Sequence, residues 1–151
     1  MLIATLGIVT ATVAGIMVGV EFGVAIFVNP IMLRLPVGPS IEARADGGRI
    51  LGRVMPFWYI ASLILTAALA AATWGTAAAS AAIAAAILLA VSVVMSITLL
   101  VPINNRSKTW TADNHPDDWR EQSHRWDSLH YPRVAIIVAG FVFILVAVAA
   151  G

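Results

Sequence analysis

Charged residues divide the chain into long apolar stretches and shorter polar segments. No Asp, Glu, Lys or Arg occurs between Arg53 and Arg106, and none follows Arg133. A bilayer core of about 30 Å needs roughly 20 apolar residues as a helix, so this pattern predicts four transmembrane helices. Their predicted bounds are residues 2–28, 54–74, 77–101 and 132–150, with polar loops at 29–53 and 102–131.

The expected fold is all-α, an integral membrane four-helix bundle in which residues 1–151 form a single domain. Only Gly75 and Thr76 separate the second and third helices, which predicts a tight hairpin. Pro102 is expected to end the third helix because proline removes a backbone donor. A short interfacial helix from about Pro116 to Tyr131 is expected before the fourth span, since proline suits a first helical turn.

The first apolar stretch raises the question of a cleaved signal peptide. It lacks a positively charged start, and its apolar run is far longer than the roughly 7–15 residues of a signal peptide's hydrophobic region. We therefore expect it to remain as a mature helix.

The composition excludes a soluble globular enzyme. Of the 151 residues, 60% are apolar and only 11% are charged, whereas soluble domains carry about 25% charged residues. The net charge of +1 provides no polybasic surface, so we expect no nucleic-acid partner. The chain has no cysteine, which excludes disulfides and cysteine metal sites.

The positions of the cations predict an orientation. All nine Lys and Arg residues lie within residues 29–53 and 102–133, which four spans would place on one side of the membrane. The positive-inside rule makes that side cytoplasmic and puts both termini outside. Trp58 and Tyr59 at one end of the second helix and Trp74 at the other are typical of interfacial anchors.

Small residues recur at every fourth position of the first helix. Such a stripe lets another helix approach closely where lipid provides no hydrophobic drive for association. The neighbour is either another helix of the same chain or, through Gly15, Gly19 and Gly23, a second copy of the chain. The stripe consists of Gly7, Ala11, Gly15, Gly19 and Gly23.

Glu21 is the one charged residue inside the first helix, and it points nearly away from the glycine stripe. Counting about 1.5 Å per residue to Asn29 places its carboxyl roughly 12 Å below the charged surface. A carboxyl at that depth is costly and usually has a partner. It is therefore either a hydrogen-bonded structural group or a functional proton acceptor or donor.

The second polar segment contains the densest set of functional side chains. Trp119, Ser123, Trp126, His130 and Arg133 follow one another at spacings of four, three, four and three, which places them on one helix face. The two tryptophans suit an interfacial helix, and a lone histidine is usually structural. A histidine three residues from an arginine can instead combine a base with a cation that stabilises an anion.

A metal site is the next alternative. His124, His130 and Glu21 could form a two-histidine, one-carboxylate site for a transition metal. His124 and His130 lie about 120° apart around a helix, however, so both could bind one ion only if the helix bends. His124 and Asp127 otherwise suit a solvated pair on an adjoining face.

Several short motifs together resemble the anthrone oxygenase-like family of small four-helix membrane proteins. They are Gly23 through Asn29-Pro30, then Pro102-Ile103-Asn104-Asn105, and then Trp119-Arg120 followed by Arg125-Trp126-Asp127-Ser128-Leu129-His130 and Arg133. The resemblance extends over nearly the whole chain. The positions that it carries over are Asn29, Pro30, Pro102, Asn104, Trp126, His130 and Arg133.

The resemblance implies oxidation of an anthrone-type phenol to a quinone. Such chemistry needs a base, anion-stabilising donors and walls for aromatic rings. We expect His130 or Glu21 as the base and Arg133 with Asn104 as oxyanion partners. The expected substrate-binding residues are Trp126, Asn29 and Trp119.

The leading hypothesis is therefore a membrane-embedded oxidoreductase that acts on a lipophilic aromatic or quinol-like molecule in a bacterial plasma membrane. The chemistry that the resemblance implies requires no flavin or nicotinamide cofactor, because the substrate anion can itself reduce oxygen, and the sequence has no fingerprint for either cofactor. A transition metal stays an open alternative. The second hypothesis is a non-enzymatic membrane subunit or a carrier of protons or small molecules, in which Glu21 relays protons.

Overall fold

The computed structural model describes residues 1–151, and all of its regular elements are helical. Four helices are long and apolar enough to cross a membrane: α1 (Leu2–Arg34), α2 (Val37–Ala72), α3 (Ala77–Ser107) and α4 (Trp119–Ala150). Helices satisfy every backbone hydrogen bond internally, which is what a segment in lipid requires. The predicted four-helix membrane bundle is confirmed.

The four helices form an up-and-down bundle. α1 packs on α2 and α4, and α3 packs on the same two helices, so each helix has two neighbours. α1 and α3 finish at the end of the bundle where α2 and α4 begin, and we call this the charged end. Every Lys and Arg lies in the half of a helix nearest that end or directly after α3, as the charge pattern predicts.

The core changes in character along the bundle. At its centre Met17, Leu89 and Ile137 are almost fully buried and belong to one cluster. Towards the end away from the charges the buried residues become small, with Ala70 and Ala82 packed in a second cluster. Alanine lets helices approach closely, so the bundle is tightest there.

The small-residue stripe of α1 has two environments. Gly7 and Gly15 face α4, and a methyl group added at Gly15 would lie 3.2 Å from the ring of Phe141. Gly19 and Gly23 have open space, with nothing within 4 Å of an added methyl group. Only the first part of the stripe therefore packs within the chain.

The prediction of a loop at residues 29–53 is wrong, because nearly all of this segment is helical. α1 continues to Arg34, and α2 already begins at Val37. Ile41 and Ala45, one turn apart, are fully buried, so this part of α2 packs against its neighbours through an apolar face. The 36-residue α2 is about 54 Å long, so its charged first half extends beyond an apolar layer of about 30 Å.

The prediction that Pro102 ends the third helix is also wrong, since α3 continues to Ser107. A π-helical turn at Ser96–Leu100 ends two residues before the proline. Such turns rearrange the hydrogen bonds that a proline would break. α1 has the same device, a π turn at Val24–Val28 before Pro30.

The interfacial helix expected before the fourth span is not a separate element. It is the first part of α4, which is one helix from Trp119 to Ala150 with Pro132 inside. The expected hairpin between α2 and α3 is confirmed. Gly75 in its turn has φ +83°, which favours glycine, and the Thr76 hydroxyl caps the start of α3.

Candidate functional site

Glu21 of α1 and Arg133 of α4 form a buried ion pair between two helices. The guanidinium Nη2 of Arg133 donates to Oε2 of Glu21, and both side chains are only 7% exposed. The intramembrane carboxyl thus has the partner that its burial requires. The predicted convergence of Glu21 with Arg133 is present in the structure.

His130 supports this pair from within α4. Its Nδ1 lies 2.8 Å from Arg133 Nη2, and its Nε2 lies 3.2 Å from the backbone carbonyl oxygen of Glu21. A guanidinium can only donate, so Nδ1 accepts and Nε2 carries the hydrogen that is donated to the carbonyl. Both ring nitrogens are therefore occupied. The ring also stacks on Trp126 with the centroids 4.5 Å apart.

Two further residues, from α2 and α3, complete the surroundings of Arg133. Its Nη1 donates to the Ser96 hydroxyl at 2.9 Å, and its guanidinium carbon lies 5.4 Å from the centre of the Tyr59 ring. The Tyr59 hydroxyl is buried close to the side chains of Glu21 and Ser92, and neither of them meets the distance and angle of a hydrogen bond to it. All four helices therefore contribute to this cluster.

A second polar cluster lies closer to the charged end. Arg44 of α2 pairs with Asp127 of α4 through both carboxylate oxygens, at 3.3 and 2.9 Å. The side-chain amide of Asn29 in α1 donates to the same carboxylate at 2.9 Å. These bonds tie three helices together. The expected solvated pair of His124 and Asp127 is wrong, because Asp127 is buried whereas His124 is exposed.

A cavity of about 660 Å³ connects the two clusters. Small-molecule sites typically have volumes of about 300–1,000 Å³. The polar residues that line it include Glu21, Arg133, Ser96, Tyr59, Trp126, Asn29 and Arg44. His130 and Asp127 do not line it, so they act on the cavity only through the residues that they hold.

The cavity also reaches the outer surface of the bundle between α2 and α3. Ile60, Ile97 and Val101 line it and are themselves 48%, 62% and 41% exposed on the outside of those helices. Because this surface belongs to the apolar part of the spans, the opening there faces lipid. The other side of the cavity extends to Asn104 and Trp110 at the charged end.

Two predicted site residues lie apart from the ion pair. Asn104 lines the cavity, but it is eight residues beyond Ser96, about 12 Å along the helix, and its amide donates to the Gly48 carbonyl. Trp119 does not line the cavity. It packs with Ile41 in a small apolar cluster at the charged end.

The metal candidates do not come together. Glu21 and His130 are close, with Oε2 and Nδ1 3.6 Å apart, but His124 is exposed on another face of α4. No group of three His, Asp or Glu side chains has the proximity that a metal ion would need. Both histidines lie on the one continuous helix α4, where His130 is buried and His124 faces outward.

Sequence reasoning missed three members of the site. Tyr59 is an interfacial anchor by its position in the sequence, but it is buried in the cluster. Ser96 has the spacing of an ordinary helix-packing serine, and Arg44 lies in a segment that reads as a loop. A signal for Arg44 did exist, because Ile41 and Ala45 beside it have helical spacing.

One comparison with known proteins gives a match. The family model described as "Anthrone oxygenase" matches residues 50–143, which is more than half of the chain and includes Tyr59, Ser96, His130 and Arg133. No curated protein and no solved structure matches the chain.

Proposed function

The chain belongs to the anthrone oxygenase family, and from this we propose that it is a membrane-embedded oxidoreductase that oxidises a hydrophobic aromatic molecule of the anthrone, phenol or quinol type. The observation that carries the proposal is the ion pair of Glu21 and Arg133 on a cavity that opens to lipid between α2 and α3. A lipophilic ring system could enter from the bilayer and meet a carboxylate and a cation.

Glu21 is the proposed proton acceptor. Arg133 holds its Oε2, so Oε1 is free of the cation, and the residue lines the cavity. An anthrone has an acidic methylene opposite its carbonyl, and the free oxygen of Glu21 can take a proton from it. His130 is a weaker candidate than the sequence indicates, because Arg133 occupies its only lone pair. It is a positioning residue for Arg133 and Glu21.

Arg133 is the proposed stabiliser of the anion that forms. Proton removal from the methylene places negative charge on the substrate oxygen, and a cation that is already fixed in position in a partly enclosed cavity stabilises such charge. Ser96 and His130 fix two sides of the guanidinium, so it needs no rearrangement during the reaction. Trp126, stacked on His130, forms part of the cavity wall beside the guanidinium.

The overall reaction balances with O₂ as oxidant. The substrate anion forms a carbon–oxygen bond with O₂ and, after protonation, becomes a hydroperoxide. Loss of the second hydrogen from that carbon breaks the O–O bond, leaving a carbonyl group and releasing one water. The methylene thus gains one oxygen atom from O₂, and the other oxygen leaves as water.

We further propose that the charged end is cytoplasmic, since the nine cations are grouped there. Polar products and water could then leave on that side, past Asn104. The substrate side of the cavity would stay in the apolar layer, between Ile60 and Ile97.

Oxygen uptake by the protein in nanodiscs, with a panel of anthrones and hydroquinones, tests the function. Spontaneous oxidation in empty nanodiscs is subtracted, and with an anthrone ¹⁸O₂ is expected to place one labelled oxygen in the product carbonyl. Glu21→Gln should lower the rate by roughly 10²–10⁴-fold, the usual contribution of a general base. Glu121→Gln, an exposed glutamate on α4, is the matched control.

Glu21→Asp provides a second variant if the glutamine variant folds poorly. It keeps the negative charge, but its side chain is one methylene shorter and holds the carboxylate farther from the substrate. Its rate should also fall well below that of the wild type. If folded wild-type protein consumes no oxygen above background with any substrate, the oxidoreductase proposal is wrong. A non-enzymatic carrier, which binds these molecules without turnover, would then be the better explanation.

A further inference from the structure

Four residues that line the cavity carry a buried N–H or O–H group without a hydrogen-bond partner. These groups are the Tyr59 hydroxyl, the Trp126 indole nitrogen, and the Nε atoms of Arg133 and Arg44. The other unpaired buried groups are the hydroxyls of three serines, none of which lines the cavity. Native proteins pair nearly all buried polar groups, so four unpaired donors around one cavity need an explanation.

Tyr59 is the most informative of these residues. It is only 6% exposed, and its ring packs in the central core cluster, so the hydroxyl is held in place. Buried tyrosine hydroxyls usually find a partner, yet this one is unpaired beside a carboxylate. Its neighbour Arg133 also has a free N–H group at Nε, which is buried and makes no hydrogen bond.

From this arrangement we propose that Tyr59 is a substrate-binding residue, whose hydroxyl and Arg133 Nε donate to an oxygen of the bound molecule. The Trp126 indole N–H donates to a second acceptor on the same ligand. The cavity therefore selects a planar aromatic molecule with at least two acceptor oxygens, such as a quinone or the anion of a hydroxylated anthrone. The assignment of this ligand class rests on the proposed function.

The selection has a simple physical basis. A hydrocarbon of the same shape would leave the four buried donors without partners, whereas carbonyl or phenolate oxygens accept from them. Leaving a buried donor unpaired costs more than a neutral hydrogen bond gains. Ligands that differ only in oxygen content should therefore differ in affinity at this site.

Binding of anthraquinone and of anthracene, measured by tryptophan fluorescence quenching in nanodiscs without any turnover, tests the proposal. Both ligands have three fused rings, but only the quinone has acceptor oxygens. Empty nanodiscs correct for partitioning into lipid. We expect the wild type to bind the quinone at least tenfold more tightly than anthracene. Each well-placed hydrogen bond contributes up to about tenfold in affinity, and the quinone can accept more than one.

Tyr59→Phe should weaken quinone binding by about three- to tenfold and leave anthracene binding unchanged. Tyr131→Phe is the matched control, because Tyr131 is the other tyrosine of the chain, is exposed and does not line the cavity. Equal losses for both ligands would show that Tyr59 only supports the fold. Unchanged quinone binding, or a wild type that does not prefer the quinone, would also overturn the proposal.

This experiment separates the two proposals. Quinone binding that depends on Tyr59, in a protein that consumes no oxygen, would support the binding role and contradict the oxidation. Oxygen consumption by a protein whose quinone affinity is insensitive to Tyr59→Phe would support the oxidation and contradict the binding role.

Discussion

Removing Glu21 leaves a permanent charge inside the bundle, and the cost can be worked out from the structure. In Glu21→Leu the guanidinium of Arg133 stays charged, because arginine does not deprotonate in proteins. Breaking a buried ion pair from one side usually costs about 3–5 kcal/mol. Arg133 would keep Ser96 and His130 as neutral acceptors, at 2.9 and 2.8 Å. We therefore expect a loss near the lower end, about 3 kcal/mol.

The double variant Glu21→Leu/Arg133→Met should recover most of this loss. Replacing a whole buried pair with apolar side chains is often neutral or stabilising. The costs of the two single variants should therefore not add, and the coupling between them should be about 2 kcal/mol or more. Arg133→Met alone leaves a carboxyl that can take up a proton, so its cost should shrink at lower pH, whereas the cost of Glu21→Leu should not.

Equilibrium unfolding in mixed micelles, by titration with a denaturing detergent, measures these differences. A change of about 3 kcal/mol shifts the unfolding constant more than 100-fold. A Glu21→Leu variant within about 0.5 kcal/mol of the wild type would refute the reasoning, since it would mean that water already solvates Arg133. Additive costs in the double variant would refute the direct pairing.

Two further predictions concern helix packing. Asp127→Asn should lower the unfolding free energy by about 2–3 kcal/mol in the same detergent titration, because it leaves the buried Arg44 without its carboxylate. Asp118→Asn, at the exposed start of the same helix, should change it by less than about 0.5 kcal/mol, and equal losses for the two variants would contradict the buried pair. Gly15→Leu should lower the unfolding free energy by about 1–3 kcal/mol, because the added side chain collides with Phe141 of α4. Gly19→Leu should leave the unfolding free energy unchanged, because the space there is open. If a second copy packs on that open surface, Gly19→Leu should also abolish the dimer, which native mass spectrometry measures.

The sequence predicts the number of helices well and their ends poorly. The four spans follow from the absence of charge between Arg53 and Arg106 and after Arg133, which only lipid-facing helices explain. Charged residues mark where a helix leaves the apolar layer, but they do not end the helix, as the charged first half of α2 shows. Ile41 and Ala45 continue the helical spacing beyond the apolar layer, and the helix follows them.

The candidate site was partly predictable for a similar reason. An isolated carboxyl in a span needs a cation, and Arg133 is the only cation deep enough in the second polar segment to be its partner. Tyr59 and Ser96 could not be assigned this way, because tyrosine and serine have common structural roles in membrane helices. Their part in the site depends on the rotation of α2 and α3, which spacing within a single helix does not reveal.

The two π turns explain why regular helical spacing misplaces part of the site. Glu21 and Asn29 are eight residues apart, which in a regular α-helix places them about 80° apart. The turn at Val24–Val28 takes up one extra residue, because its hydrogen bonds span five positions instead of four. The separation falls to about 20°, and both side chains line the cavity.

The same arithmetic applies to α3. Ser96 and Asn104 are also eight residues apart, and the π turn at Ser96–Leu100 brings both onto the cavity side. In each helix a proline is the second residue after the turn, at Pro30 and Pro102, where a missing backbone donor is most easily accommodated. The motifs Asn29-Pro30 and Pro102-Ile103-Asn104 therefore mark two places where a π turn changes the rotation of the helix. As a result, polar groups at two depths face one cavity.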